Sequence, residues 1–219
     1  MSEPEFDALR VPTDLPKLDM WLKRNHPGLS PSTPRIWREW WSVRELVRRQ
    51  DAADPVIARG DLIIRADRGE GRGQPDFILR QSERDDALEV TIAGTTADVA
   101  EINASRRTGA ATALIGEAGG RFVDGVVGDE WEAAMAEDII RAANAKSAKP
   151  YAPGGILLIH CHSNAMMADP AGVAAHLAPH GGALPFREVV ALAPGGCLIR
   201  WRADQVSIQD RIRSARPRP

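Results

Sequence analysis

Two carboxylates stand where an acid pair could do hydrolytic work. Asp76 follows Pro75 at the opening of the apolar segment PDFILR, and Glu89 lies inside the next such segment, ALEVTIA. Both segments have the length and residue types of strands, and the charged linker 81–86 between them suits a hairpin. In a hairpin the two side chains can converge on one side of the sheet. Alternation sets Glu89 on the face opposite Leu88 and Val90. Carboxylates held that close repel unless a cation lies between them. Magnesium favours such oxygen ligands and completes its octahedron with water and substrate phosphate. A cation there lowers the pKa of a water and neutralises charge on phosphorus. Asp76 and Glu89 are therefore the expected ligands of Mg2+ or Mn2+.

The elements that must position this pair can be read from periodicity. Thr33-Pro34 is a helix start, with Thr33 as cap and Pro34 in the first turn. The helix then runs to about Gln50, and Ile36, Trp40, Val43 and Val47 form its apolar stripe. Glu39 interrupts or borders that stripe and, read alone, reaches solvent from the stripe's edge. Strands are expected at 61–66, 75–80, 87–93 and 155–160, the last a continuous apolar run, GILLIH, of the kind found in central strands. Two more, 187–192 and 197–201, flank a Pro-Gly-Gly turn. A long helix is expected over 129–147 and short ones at 18–24 and 171–177. Residues 94–128, rich in Gly, Ala and Thr, form an insertion with a helix at 97–107 and a loop or irregular hairpin at 116–128. The order predicts an α/β fold, a single mixed β-sheet flanked by helices.

Pro75-Asp76 followed by Glu89-Val90-Thr91, set in this order of elements, resembles the PD-(D/E)XK motif of the restriction-endonuclease-like superfamily. The resemblance covers roughly residues 34–202. It implies a restriction-endonuclease-like core and a magnesium-dependent phosphodiesterase acting on DNA or RNA. One position departs from the motif. The resemblance calls for a lysine two residues after the second acid, on the same face of the strand, and this chain has Thr91 there. Some members of the superfamily take this lysine from a neighbouring helix, which here offers Lys146 and Lys149. Ile139, Ala143 and Lys146 follow helical spacing, so Lys146 extends the core-facing stripe, whereas Lys149 falls past the helix end. The catalytic set is then Asp76, Glu89, Lys146 and Glu39, the last because members often supply an acid from the first helix. The competing expectation is a degenerate nuclease-like domain that binds without cleaving, favoured by Thr91 and by a net charge of only −2.

Composition narrows the rest. The near-neutral charge does not mark a nucleic-acid binder, so any basic surface must be local. Arg211, Arg213, Arg216 and Arg218 in the final segment are read as a frayed basic tail. Cys161 and Cys197 lie in or beside apolar strands and read as core thiols, giving neither a zinc pattern nor a disulfide framework. His160 and His162 share a face but lack a third ligand, which points to a structural role at a strand end. Trp37, Trp40 and Trp41 crowd one helix and are assigned to packing with one exposed ring. The glycines of 109–128 match neither a Walker A loop nor a dinucleotide fingerprint, so no nucleotide cofactor is expected. No stretch is apolar for long enough to be a signal peptide or membrane span, and the cytoplasm is the expected compartment. The expected organisation is an irregular arm over 1–33, a nuclease-like domain over 34–205 and the tail over 206–219.

Overall fold

A computed structural model describes residues 9–12, 14–25, 36–57, 61–64, 75–80, 85–93, 129–147, 154–161, 168–181, 186–193 and 196–209. In chain order the elements are β1 (Leu9–Pro12), α1 (Leu15–Asn25), α2 (Ile36–Arg49), β2 (Asp61–Ile64), β3 (Phe77–Arg80), β4 (Asp85–Ala93), α3 (Asp129–Ser147), β5 (Ile156–Cys161), α4 (Pro170–Leu177), β6 (Glu188–Leu192), β7 (Leu198–Trp201) and β8 (Val206–Gln209). The strands form one sheet in sequential order, β1 to β8. Pairs β4–β5 and β5–β6 are parallel and the others antiparallel. The sheet is therefore mixed, as expected. Its two parallel pairs are the two places where the chain crosses over through a helix, α3 and then α4.

Alternation along the central strands sorts the core into two layers. Leu88, Val90, Ile156, Leu158, Val190, Leu192 and Leu198 meet α1 and α2 on one face. Leu157, Ile159, Cys161, Val189, Ala191, Ile199 and Trp201 meet α3 and α4 on the other. A strand buried on both faces has no polar phase, which is why GILLIH reads as an unbroken apolar run.

The helix ends follow local rules. Asp14 caps α1, its Oδ1 accepting the Lys17 N–H at 3.2 Å, with Pro16 in the first turn. Asp169 caps α4 through the Ala171 N–H at 3.2 Å, and Pro170 sits at the first helical position. The turn between β6 and β7 needs Gly196, whose φ of 88° is one that side chains disfavour.

Helix α2 is buried more widely than its apolar stripe implies. Glu39, Ser42 and Glu45 are buried along with Trp40, Val43, Leu46 and Val47. Helix α1 packs on it through Leu18 and Leu22, and Asp19 of α1 pairs with Arg44. Arg49 reaches across to the carbonyls of Ala193, at 2.7 Å, and Cys197, at 3.3 Å. Glu45 is kept ionised there. Burial pushes its carboxyl up, but hydrogen bonds and charge from Arg48 and Arg49 outweigh this and hold it below its ordinary value.

Two terminal segments differ from expectation. The segment read as an irregular arm contributes strand β1, and its short helix extends over Leu15–Asn25. The segment read as tail begins with a further strand, β8. Each strand carries only two large apolar residues, where the equally short β2, β3 and β7 carry three, and each gains its order from one neighbouring ladder. Thr33, Pro34, the insertion over 94–128 and the tail arginines lie outside the described residues.

Candidate functional site

The acid pair lies at the open end of the β3–β4 hairpin. Phe77 stands opposite Leu88 in the ladder, so two further steps of that register would set Pro75 against Val90. Proline has no N–H to give to a ladder, and the backbone pairing ends there. The Asp76 side chain takes over. Its Oδ2 accepts the Val90 N–H at 2.9 Å, while the Asp76 N–H donates to Glu89 Oε2 at 3.2 Å. The Pro-Asp dipeptide thus closes the strand with a reciprocal pair of bonds that fixes both carboxylates relative to β4.

Both helical layers reach this point. Lys146, in the last turn of α3, forms an ion pair with Glu89 Oε1. The two side chains are 17% and 7% exposed, so the pair is largely withdrawn from water. Glu39 comes from α2 on the other face of the sheet. It is buried, at 6% exposure, and not at a solvent-facing edge of the stripe. Its negative charge acts on Asp76. Asp76, Glu89, Lys146 and Glu39 are thereby drawn into one electrostatic neighbourhood from three elements and the strand start.

That neighbourhood perturbs Asp76 strongly. Burial, and next the Glu89 carboxylate, push its carboxyl up to about 6, Glu39 adding to the rise. The Val90 N–H and the Lys146 ammonium oppose the shift without cancelling it. A carboxyl poised near neutrality beside a second acid is the electrostatic state that an incoming cation relieves. Among the described residues, no hydrogen bond reaches Asp76 Oδ1. The donors are carboxylate oxygens, the set that a hard cation such as Mg2+ takes, and such a cation commonly uses only one or two protein carboxylates. Among the described residues no group of three or more His, Cys, Asp or Glu side chains is placed to hold a metal. The pair therefore fits a hydrated cation better than a closed protein cage.

The other candidates fall elsewhere. Thr91 lies two residues beyond Glu89 on β4 and is half-buried. Lys149 and His162 lie outside the described residues. His160 packs its ring edge-on against Trp41, with centroids 4.7 Å apart, in keeping with a structural role. Trp40 is fully buried between Trp21 and Phe77, at 5.0 and 5.1 Å, in keeping with packing. The side chain of Trp37 is outside the described residues. Cys161 and Cys197 are both buried. Burial, with some help from Asp138, pushes the Cys161 thiol up to about 12, so it stays protonated and inert as a nucleophile.

Sequence reasoning did not single out Glu188 and Arg200, the most deeply buried charges of the sheet among the described residues. Arg200 pairs with Glu188 through two nitrogens and donates from a third to the Asp54 carbonyl and carboxylate, each at 2.7 Å. The available signal was one acid and one base in two apolar strands joined by a tight turn. Their geometry ties β6, β7 and the loop after α2 together, at a distance from the acid pair along the sheet. No helix among the described residues is long and apolar enough to cross a membrane. Set against family models, curated proteins and solved structures, the chain matches none of them.

Proposed function

We propose that this chain is a metal-dependent nuclease with a restriction-endonuclease-like core, hydrolysing phosphodiester bonds in DNA or RNA. The observation that carries the reading is the convergence of Asp76, Glu89 and Lys146 in one bonded group at the open end of a hairpin. The order α2, β2, β3, β4, α3, β5 supports it, being the order that the resemblance to the superfamily implies. Asp76 and Glu89 would hold Mg2+ or Mn2+, which supplies charge neutralisation at the phosphate and a lower pKa for the attacking water. Lys146 would supply the ammonium that Thr91 cannot, placed where negative charge develops in the transition state. Glu39, buried behind Asp76, would tune that carboxyl's charge and help to orient a water.

A binding module without catalysis is the second reading, and Thr91 favours it, together with the net charge of −2. One assay separates the two. Purified protein is incubated with single- and double-stranded DNA and RNA in Mg2+ or Mn2+, beside the Asp76→Ala variant. Cleavage that needs the cation and is lost in the variant supports the nuclease. Retained nucleic-acid binding with no cleavage under any of these conditions supports the module.

A further inference from the structure

Lys146 does more in this arrangement than stand near a future substrate. Its ammonium lies on Glu89 Oε1, and Glu89 Oε2 is held by the Asp76 N–H, so both oxygens of the proposed ligand are engaged by the protein's own donors. Glu89 is buried, and a buried carboxylate stripped of its partner is strongly destabilising. A second acid beside it makes the need for positive charge greater. The α3 lysine meets that need without any ion.

We infer that Lys146 is a built-in surrogate cation, which neutralises the acid pair in the metal-free protein and must leave Glu89 Oε1 when a divalent cation arrives. The inference rests on the metal-dependent reading above and adds a gate to it. Mg2+ binds carboxylate oxygen at about 2.0–2.1 Å. An ammonium on the same buried oxygen would sit a few ångströms from it, and like charges that close in a poorly solvated site repel strongly. Exchange of one cation for the other is the arrangement that avoids this. Exchange also frees the ammonium to meet a phosphate, so metal loading and exposure of the lysine become one event. The site would then be closed to substrate until a cation is bound.

The test uses the full chain and Mn2+ alone, with no substrate. Calorimetry compares the wild type with Lys146→Gln, which removes the competing charge, and Lys146→Arg, which keeps it. Lys146→Gln should bind Mn2+ about tenfold or more tightly than the wild type, the scale on which one nearby charge shifts a carboxylate equilibrium. Lys146→Arg should stay close to the wild type. Lys146→Gln should also melt lower than the wild type without Mn2+ and recover most of the difference with it. A second measurement does not depend on the variant folding. Acylation of wild-type lysines, read by mass spectrometry, should label Lys146 several-fold more at saturating Mn2+ than without it. Equal affinities in folded wild type and Lys146→Gln, or labelling of Lys146 unchanged in Mn2+-loaded protein, would overturn the surrogate role while leaving the metal site standing. Absence of Mn2+ binding in both proteins would overturn the surrogate role and the metal-dependent reading together.

Discussion

At Asp76, acid chemistry and folding stability oppose each other. Its carboxyl titrates at about 6 in the folded chain against an ordinary value of 3.8. A raised acid binds its proton more tightly when folded, so its contribution is fully present below about pH 3.8 and is lost as pH rises through about 6. At 1.36 kcal/mol per unit the loss is of order 3 kcal/mol. Asp76→Asn should therefore melt higher than the wild type above pH 6 and show a flatter stability profile between pH 4 and 7, followed by thermal unfolding across that range. Equal slopes in the two proteins would mean that Asp76 is not the group responsible. The same protonation should weaken Mn2+ binding as pH falls through 6, because the metal competes with the proton for the carboxylate. For Lys146, loss of one donor at the developing charge should lower cleavage by about a hundredfold or more. Lys149→Ala, past the end of the same helix, should do much less, and single-turnover cleavage rates compare the two. Equal small effects would make both lysines ordinary helix-end charges.

Among the elements, the site depends on α3 keeping its register against the sheet, and α4 helps to fix that register. Glu132 on α3 is buried and accepts the Asp169 N–H at 3.0 Å, at the start of α4. The two helices approach so closely there that a Cβ on Gly172 would lie 2.5 Å from Glu132 Cγ and 2.9 Å from its Cδ. Neither atom can move far without breaking the bond to Asp169. Gly172→Ala should cost about 1–3 kcal/mol, as overpacking in a tight interface does. Denaturant unfolding should show a lower midpoint with an unchanged slope. An unchanged midpoint would mean that the helices separate freely, and α3 would then be a poor anchor for Lys146. Elements with a long periodic signal were legible: α3 begins and ends where its sequence pattern does, at Asp129 and Ser147. Strands β1 and β8 were not, because LRVP and VSIQ hold only two large apolar residues each and their order comes from the neighbouring strand.

Across the whole molecule, one mixed sheet separates two helical layers, and a buried ion pair ties β6 and β7 to the loop after α2. Arg200 and Glu188 are 2% and 4% exposed at their side chains. Asp54, after α2, shares Arg200, and Arg202 stands 3.4 Å from Glu188. Removing one partner strands the other's charge in the core, so Arg200→Met should cost about 3–5 kcal/mol. Adding Glu188→Leu should recover most of that loss, since apolar residues of similar volume can replace a buried pair at little cost. A double-variant cycle followed by denaturant unfolding measures the coupling. Strict additivity of the two losses would show that the pair does not act as a unit. Stability at this ion pair and chemistry at the acid pair should be separable, because β5 stands between β4 and β6 and Glu188 takes the opposite face of the sheet from Glu89.

Sequence alone determined which face each side chain would take. Alternation turned Glu89 away from Leu88 and Val90, and helical spacing placed Lys146 on the stripe of Ile139 and Ala143, because both periods are properties of the local backbone. The strand expected from Pro75 begins in the structure at Phe77, since proline has no N–H to give to a ladder. Proximity was decided only by the tertiary structure. The distances that bring Asp76 to the Val90 N–H, Lys146 to Glu89 and the charge of Glu39 to Asp76 depend on strand register, on the α3 crossover and on α2 lying against the opposite face. Burial followed from the same packing. Glu39 sits at the edge of its own helix's stripe, and whether that edge meets solvent or a neighbouring layer is not written in one helix. It depends on what the rest of the chain sets against it.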